Sequence, residues 1–510
     1  SNVQPTLNLD FANVKKLDPR ITFARASTGA YYDGKTVSKA EENLFLYSQE
    51  FDNAYWSKIN VSVSANTTTA PDGTTTADSV IESATTAQRP IRRFVTTVNG
   101  TYVFSVFAKA NTRSWIFTGG TIGNAWFNVS TGTIGTVDAG VTASIQNFGN
   151  GWYRCVAMVT TTAASNAFDV TLTTGDNISS YAGDGTSGVY LWGAQLENGS
   201  SVTAYTPTTT ATAPAVYQPT LLTASNNTAR FDHNPVTSES LGLLIEEQRT
   251  NLFTYSSDFS NAVWSKTNST VTANTIVAPD GTLTGDELVE NTANSTHNLL
   301  LSPTPPAIGT YTLSSYAKAD SRSGIVLLAS GSAVRALVAF DLLTSSVRAQ
   351  RVVGSSTITE ATITAVGNGW YRCTMTFVFG VAINNLQIGI DDGTSALGDN
   401  GVVYTGDGYS GIYIWGAQLE SGGFSTSYIP TVASQVTRSA DSASMTGANF
   451  SSWYRVDEGT IYLEHNSAKP SSNTYGAYVI SDNTPNNRLA HLGNTSGTSQ
   501  SFFANASNVS

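Results

Sequence analysis

Hydrophobic and polar residues alternate along many short runs of this sequence. Residues 101–107 and 310–316 alternate in this way, whereas residues 189–192 and 412–415 are densely apolar, as expected of strands buried on both faces. Asp-Gly, Asn-Gly and Gly-Asp-Gly turns separate the runs at intervals of roughly ten residues, and no amphipathic helix exceeds about three turns. Short strands with turns at this spacing predict an all-β fold built from jelly-roll β-sandwiches.

The sequence contains one long module twice. The heptapeptide Gly-Asn-Gly-Trp-Tyr-Arg-Cys occupies residues 149–155 and again residues 367–373. Each copy opens on Asn-Leu-Phe, at residues 43–45 and 251–253, and contains Trp-Gly-Ala-Gln-Leu-Glu near its end. Residues found in both copies are expected to be framework, whereas aromatic residues found in only one copy are free to serve a ligand.

These landmarks divide the chain into five predicted regions. After the second module, the remaining strands are too few to close a third sandwich. The regions are a lead-in segment (1–42), a first jelly-roll module (43–207), a linker with a hairpin-like segment (208–249), a second jelly-roll module (250–431) and an incomplete third β-sandwich (432–510).

Composition narrows the classes of function. Charged residues make up 12% of the chain and hydrophobic residues 40%, which excludes a disordered polyelectrolyte. The formal net charge is −11 and the lysines and arginines are scattered, so no basic stripe is present to bind nucleic acid. No apolar run has the length of a membrane span, and the first residues do not resemble a signal peptide. We therefore expect release by lysis or as part of a particle, without membrane insertion.

The sequence offers no pattern that supports catalysis. Cys155 and Cys373 occupy equivalent positions in the two copies, so we expect each to pack in its own core rather than to form a disulfide. Glu246 and Glu247 are adjacent and would point to opposite faces of a strand, which prevents them from flanking one bond. The Gly-Asp-Gly sequences could present Asp to a cation, but turn formation explains them better. We predict that the protein is not an enzyme.

Three phrases resemble those of a broad family of bacteriophage virion proteins. They are residues 9–11 together with 17–28, residues 230–235 and residues 242–252. The family implies a tail-fibre, spike or head-fibre protein of the virion, with jelly rolls that are similar to carbohydrate-binding modules. In that family the phrases stand close together, and here the first module is inserted between them. The region after Thr431 resembles the first half of a concanavalin A-like lectin sandwich.

The same resemblance raises the question of a structural calcium ion. Similar carbohydrate-binding jelly rolls hold calcium with an acidic residue after the opening Phe and another in the last strand. Here the corresponding residue is Phe51 in the first copy, which Asp52 follows, and Phe259 in the second, which Ser260 follows; Gly193 and Gly416 occupy the last strands. This departure argues against calcium, most strongly in the second module, and no other cofactor is expected.

We therefore expect a phage fibre or decoration protein that presents carbohydrate-binding-like sandwiches to glycans on the host surface. A purely structural spacer or a capsid or tail cement without glycan binding is an open alternative, because a fold does not fix a function. The chain could also be the non-catalytic part of a glycan-degrading spike. Expected partners are other virion proteins, host-surface glycans and copies of this chain, with a trimer as the expected oligomer.

Comparison of the two copies also suggests where a ligand would bind. Trp115 and Trp126 occur only in the first module, and alignment places Gly324 and Ala339 at the equivalent positions of the second. We predict that both tryptophans belong to a glycan-binding face, with Arg113 and Asn124 as polar partners; alternate packing of the first core is the competing explanation. The tryptophans expected to be buried framework are those shared by both copies: Trp56 and Trp264, Trp152 and Trp370, and Trp192 and Trp415.

Overall fold

The computed structural model describes residues 6–302, 308–455, 460–462, 475–481, 488–493 and 499–504. Over these residues the chain is almost entirely β, in paired antiparallel sheets, so the predicted fold class is confirmed. The lead-in contains one short helix, in which the Asp10 side chain accepts a hydrogen bond from the amide of Asn13. The lead-in elements are helix α1 (Phe11–Val14) and strands β1 (Thr22–Ala24), β2 (Gly29–Tyr31) and β3 (Val37–Asn43).

The first copy of the repeat forms a β-sandwich of two six-stranded sheets. Sheet 1A has the order β12-β11-β10-β15-β8-β4, and sheet 1B has the order β13-β14-β9-β17-β6-β5. The chain crosses between the sheets repeatedly, as in a jelly roll. The strands of this region are β4 (Ser57–Lys58), β5 (Val61–Thr68), β6 (Ala77–Glu82), β7 (Thr86–Ala87), β8 (Pro90–Thr96), β9 (Gly100–Ala110), β10 (Trp115–Gly120), β11 (Ala125–Asn128), β12 (Thr133–Val137), β13 (Val141–Asn147), β14 (Trp152–Thr161), β15 (Ser165–Thr173), β16 (Tyr181–Ala182) and β17 (Gly188–Asn198).

The segment between the two sandwiches is built from short paired strands. Strand β18 pairs with β3 of the lead-in, and β19 pairs with β2. Strands β20 and β21 pair with each other as an antiparallel hairpin. The strands are β18 (Ala213–Pro219), β19 (Leu222–Ala224), β20 (Arg230–His233), β21 (Ser240–Leu244) and β22 (Arg249–Asn251).

The second copy repeats the sandwich. Sheet 2A has the order β23-β27-β34-β29-β30-β31, and sheet 2B has the order β24-β25-β38-β28-β33-β32. The strands are β23 (Ser265–Thr267), β24 (Ser269–Ile276), β25 (Gly285–Glu290), β26 (Asn294–Ser295), β27 (Asn298–Leu301), β28 (Gly309–Ala319), β29 (Gly324–Gly331), β30 (Val334–Asp341), β31 (Ser346–Val353), β32 (Thr357–Gly367), β33 (Trp370–Phe379), β34 (Ile383–Asp391), β35 (Leu397–Gly398), β36 (Gly401–Val402), β37 (Tyr404–Thr405) and β38 (Gly411–Ser421).

After the second sandwich the chain returns to the lead-in. Strand β39 (Val436–Arg438) pairs with β22, and β40 (Ser442–Ser444) pairs with β1. Helix α2 (Ala448–Ser451) follows, and then a three-stranded sheet of β41 (Tyr475–Ser481), β42 (Arg488–Gly493) and β43 (Ser499–Ala504). The prediction of an incomplete lectin-like sandwich falls partly outside the described residues and stays a prediction.

The alternation in the sequence explains both cores. In each sandwich the apolar positions of the two sheets face each other, and Cys155 and Cys373 lie in separate cores. The six shared tryptophans are all at most 4% exposed, as predicted. Each indole Nε1 donates a hydrogen bond to the same kind of acceptor in both copies, which satisfies the donor that burial removes from water.

Candidate functional site

The predicted tryptophans lie on the face of sheet 1A that points away from the core. Ile116 and Phe127 of the paired strands β10 and β11 belong to the core, so Trp115 and Trp126 point to the opposite face. Phe117 is opposite Trp126, and their ring centroids are 4.9 Å apart. The sheet therefore brings both tryptophans to one outer face.

The two tryptophans differ in their access to solvent. Trp126 is only 4% exposed, and its Nε1 donates a 3.4 Å hydrogen bond to the carbonyl of Ile178, in the loop that follows β15. Trp115 is half-buried, with its ring against Gly135, where an added Cβ would come within 2.8 Å of the ring. The loop thus covers Trp126, and Trp115 keeps part of its ring exposed.

Asn124 lies on the same outer face as the tryptophans. Its side chain passes over Gly119, where a Cβ atom would collide with Asn124 Oδ1 at 2.1 Å. Its amide Nδ2 donates a 2.8 Å hydrogen bond to the Asp138 carboxylate. Asn124 is therefore held in place beside the aromatic rings by a neighbouring turn.

Arg113 is committed elsewhere, at the end of the sandwich. Its Nε and Nη2 atoms donate hydrogen bonds of 3.0 and 2.6 Å to the carboxylate of Glu82. Burial alone would raise the pKa of Glu82, but hydrogen bonds from Arg113 and Tyr181 outweigh it and lower the pKa. The second sandwich repeats this arrangement with Arg322, Glu290 and Tyr404. Because both copies contain this arginine, it is expected to be part of the framework.

Sequence comparison missed two residues of the outer face. Phe94 of strand β8 is 55% exposed, and its neighbour Arg92 donates hydrogen bonds of 2.7 and 2.6 Å to the carboxylate of Asp169. The strand registers make Arg92 equivalent to Leu300 of the second sandwich, since each is opposite the serine that follows a shared tryptophan. Like Trp115 and Trp126, Arg92 is therefore present in only one of the two copies. An aromatic ring beside a hydrogen-bonded charge pair is suited to contact with a sugar ring.

A lysine occupies the position at which calcium was considered. The ammonium group of Lys58 donates to the backbone carbonyls of Asp52 and Asn53, at 2.8 and 2.7 Å. Lys266 makes the same contacts in the second sandwich, with carbonyl distances of 2.9 and 2.7 Å. Burial lowers the pKa of both lysines. Within the described part of the chain, no group of three or more His, Cys, Asp or Glu side chains is placed to hold a metal ion.

Replacing Lys58 with methionine is expected to lower the melting temperature of the first sandwich, because the carbonyls lose a charged donor. The expected loss is about 1–3 kcal/mol of folding free energy. A chelator is expected to leave the melting temperature of the unmodified chain unchanged. Thermal melts with and without chelator test both points, with the exposed Lys16→Met as the control. A chelator-induced drop would show that a metal ion, rather than Lys58, supports this segment.

A buried ionic cluster joins three distant segments of the chain. Asp441, after the second sandwich, contacts Arg25 of the lead-in at 3.0 Å and Arg230 of the hairpin at 2.6 Å. Arg230 also contacts Glu246 at 2.7 Å, and Arg438 approaches the same carboxylate at 3.6 Å. The side chains of Arg25, Arg230 and Asp441 are 0% exposed. We call these five residues the junction cluster.

Backbone contacts reinforce the junction cluster. The amide of Glu246 donates to Asp441 Oδ2 at 2.9 Å, and the amide of Asp441 donates to the Glu246 carbonyl at 2.8 Å. Burial would raise the pKa of Glu246, but Arg438 and Arg230 outweigh burial and lower the pKa. Strand β1 pairs with β40 beside the cluster. The chain therefore reaches the junction at residues 22–25 and returns to it at residues 438–444.

The fold defines a protein with two β-sandwiches of the same topology attached to one ionic junction. No model of a known protein family matches this sequence, and no curated protein matches it at a significant level. No helix among the described residues is long and apolar enough to cross a membrane.

Proposed function

We propose that this chain belongs to a bacteriophage virion fibre or decoration protein that displays its sandwiches for adhesion to host-surface glycans. The observation that carries the proposal is the junction cluster. Because β1 pairs with β40, the two sandwiches lie within a loop of chain whose ends meet at one point. Such a loop projects to the side of the structure to which the lead-in and the residues after β40 are attached.

This attachment favours display over a spacer. In a spacer within a fibre, the chain would enter at one end and leave at the opposite end, so that both sandwiches would add to the length of the fibre. Here Thr22 and Ser444 are directly paired neighbours. Sandwiches attached in this way add surface to a particle and little length.

The outer face of sheet 1A is the surface that we propose for sugar contact. The outer face of sheet 2B is covered by the lead-in and by the segment between the sandwiches, because Tyr32 and Leu221 pack against its aromatic residues. Sheet 1A instead presents the exposed ring of Phe94, the half-buried ring of Trp115 and the pair of Arg92 and Asp169. Flat apolar rings beside fixed polar groups are the usual means of sugar recognition.

A glycan array probed with the purified chain tests this proposal. We expect binding to at least one bacterial surface glycan, and a loss of about tenfold or more for a double variant with Phe94→Ala and Trp115→Ala. Tyr217→Ala is the matched control, because Tyr217 is 58% exposed but lies on strand β18. Unchanged binding by a folded double variant would remove this face from consideration. If the unmodified chain bound no glycan, the adhesion function would be rejected.

A further inference from the structure

The outer faces of sheets 1A and 2A differ in one row of residues that lie opposite one another across neighbouring strands; we call this row a level. The residues at this level in the first sandwich are Trp126, Phe117, Thr171 and Pro90. The residues at the same level in the second sandwich are Ala339, Val326, Gly389 and Asn298. Trp126 and Phe117 place large aromatic rings on the first face, whereas Ala339 and Val326 occupy their positions on the second, where Gly389 has no side chain. The second face is therefore hollow where the first is filled.

A loop covers this hollow and turns it into a recess. The loop after the equivalent strand spans residues 174–187 in the first sandwich and 392–410 in the second, where it contains the small hairpin of β35 and β36. Asn400 and Val402 of this hairpin line the recess from above, and Val326, Leu328 and Gln387 line it from the sheet. The enclosed space has room for about one water molecule.

Asn298 gives the recess an unsatisfied hydrogen-bond acceptor. The residue is 5% exposed and lines the recess. Its Nδ2 donates to Thr296 Oγ1 at 3.1 Å, but its Oδ1 has no hydrogen-bond partner among the described residues. Pro90 occupies the equivalent position in the first sandwich and carries no polar side-chain atom. Buried acceptors without partners destabilise a fold, so an acceptor specific to one copy points to a ligand that donates to it.

We infer that this recess binds one hydroxyl group of a saccharide that lies across the outer face of sheet 2A. The hydroxyl donates to Asn298 Oδ1 and takes up the space of about one water molecule beside Val326 and Leu328, and the carbon that carries it lies at the opening of the recess. A lone water molecule would face these apolar walls without gaining contacts from them. Gln387 is partly exposed and Asn400 is exposed, which places two further amides beside the opening for neighbouring hydroxyls. This inference rests on the proposed glycan adhesion and adds a second, chemically different site to it.

Saturation-transfer NMR with the methyl glycosides of glucose, galactose and mannose tests the recess on the complete chain. We expect at least one glycoside to bind, and Asn298→Ala to weaken its binding about tenfold. Without sugar, Asn298→Ala should melt at nearly the same temperature as the unmodified chain, because loss of the hydrogen bond to Thr296 is offset by removal of a buried oxygen that has no partner. Gly389→Ala should weaken binding as well, since its added methyl group would lie 3.3 Å from Asn298 Cβ.

Pro90→Ala in the first sandwich is the matched control and should leave glycoside binding unchanged. If Asn298→Ala bound the glycosides normally and melted at a lower temperature, Asn298 would be structural, with water as its donor, and the inference would be wrong. In that case glycan-array binding by the same variant would still support the proposed adhesion. If neither the array nor the glycosides gave binding to the unmodified chain, both proposals would fail.

Discussion

Asp441→Ala is expected to destabilise the junction by about 3–5 kcal/mol, because it leaves buried charges without their partner. Among the described residues, Arg25 loses the one ion pair that its Nη1 makes, and Arg230 keeps its pair with Glu246. The variant also removes the acceptor for the amide of Glu246. The lead-in and the segment after the second sandwich should then separate from the hairpin between the sandwiches.

Limited proteolysis and chemical denaturation measure this effect. In the variant, we expect rapid cleavage within residues 22–30 and 436–444, at a denaturant concentration at which the unmodified chain resists cleavage. Asp399→Ala is the control, because Asp399 and Arg351 form an ion pair whose side chains are 48% and 46% exposed. Exposed pairs contribute about 0–1 kcal/mol. Equal cleavage of both variants would contradict the assigned role of the cluster.

The sandwiches could be predicted from the sequence because their signals are local and occur twice. Alternation along residues 101–107 and 310–316 predicts strands, and the structure places both runs in the eleven-residue strands β9 and β28. Shared tryptophans such as Trp152 and Trp370 predicted the framework for the same reason. Repetition separates residues required by the fold from those free to change.

The junction cluster could not be predicted in this way. Arg25 and Asp441 are 416 positions apart, and no periodic pattern links them. Arg230 and Glu246 stand within the phrases that suggested virion proteins, but the phrases alone do not show which charges meet. Only the folded chain brings three arginines and two acids together in a space closed to solvent.

The candidate site was predictable in part. Trp115 is opposite Thr173, the last residue of β15, and Gly324 is opposite Asp391, the last residue of the equivalent strand β34. The alignment of the two copies therefore agrees with the structure. The loop over Trp126 was not predictable, because loop conformation leaves little trace in hydrophobic periodicity. The sequence alone shows that Arg113 is shared by both copies, because its counterpart Arg322 stands at the same distance after Ala-Lys-Ala.

Trp415→Ala is expected to cost about 3–5 kcal/mol and to loosen the lead-in as well. The indole is 2% exposed, and its centroid lies 5.3 Å from that of Tyr316 and 4.7 Å from that of Tyr428. Tyr32 of the lead-in belongs to the same cluster, so the cavity would open between sheet 2B and the lead-in. Packing lost at this surface should therefore both lower the melting temperature and expose strand β2 to protease.

Trp192→Ala is the matched variant, because its cluster in the first sandwich contains no lead-in residue. Its indole is 4% exposed and packs on Phe107 and Tyr205, so a comparable loss of stability is expected. Strand β2 should nevertheless stay protected from protease in this variant. An unchanged melting temperature for Trp415→Ala would contradict its framework role, and equal cleavage of β2 in both variants would contradict the coupling to the lead-in. The contrast arises because one framework has been used twice, and Ala30 and Tyr32 of the lead-in pack against the aromatic cluster of the second copy.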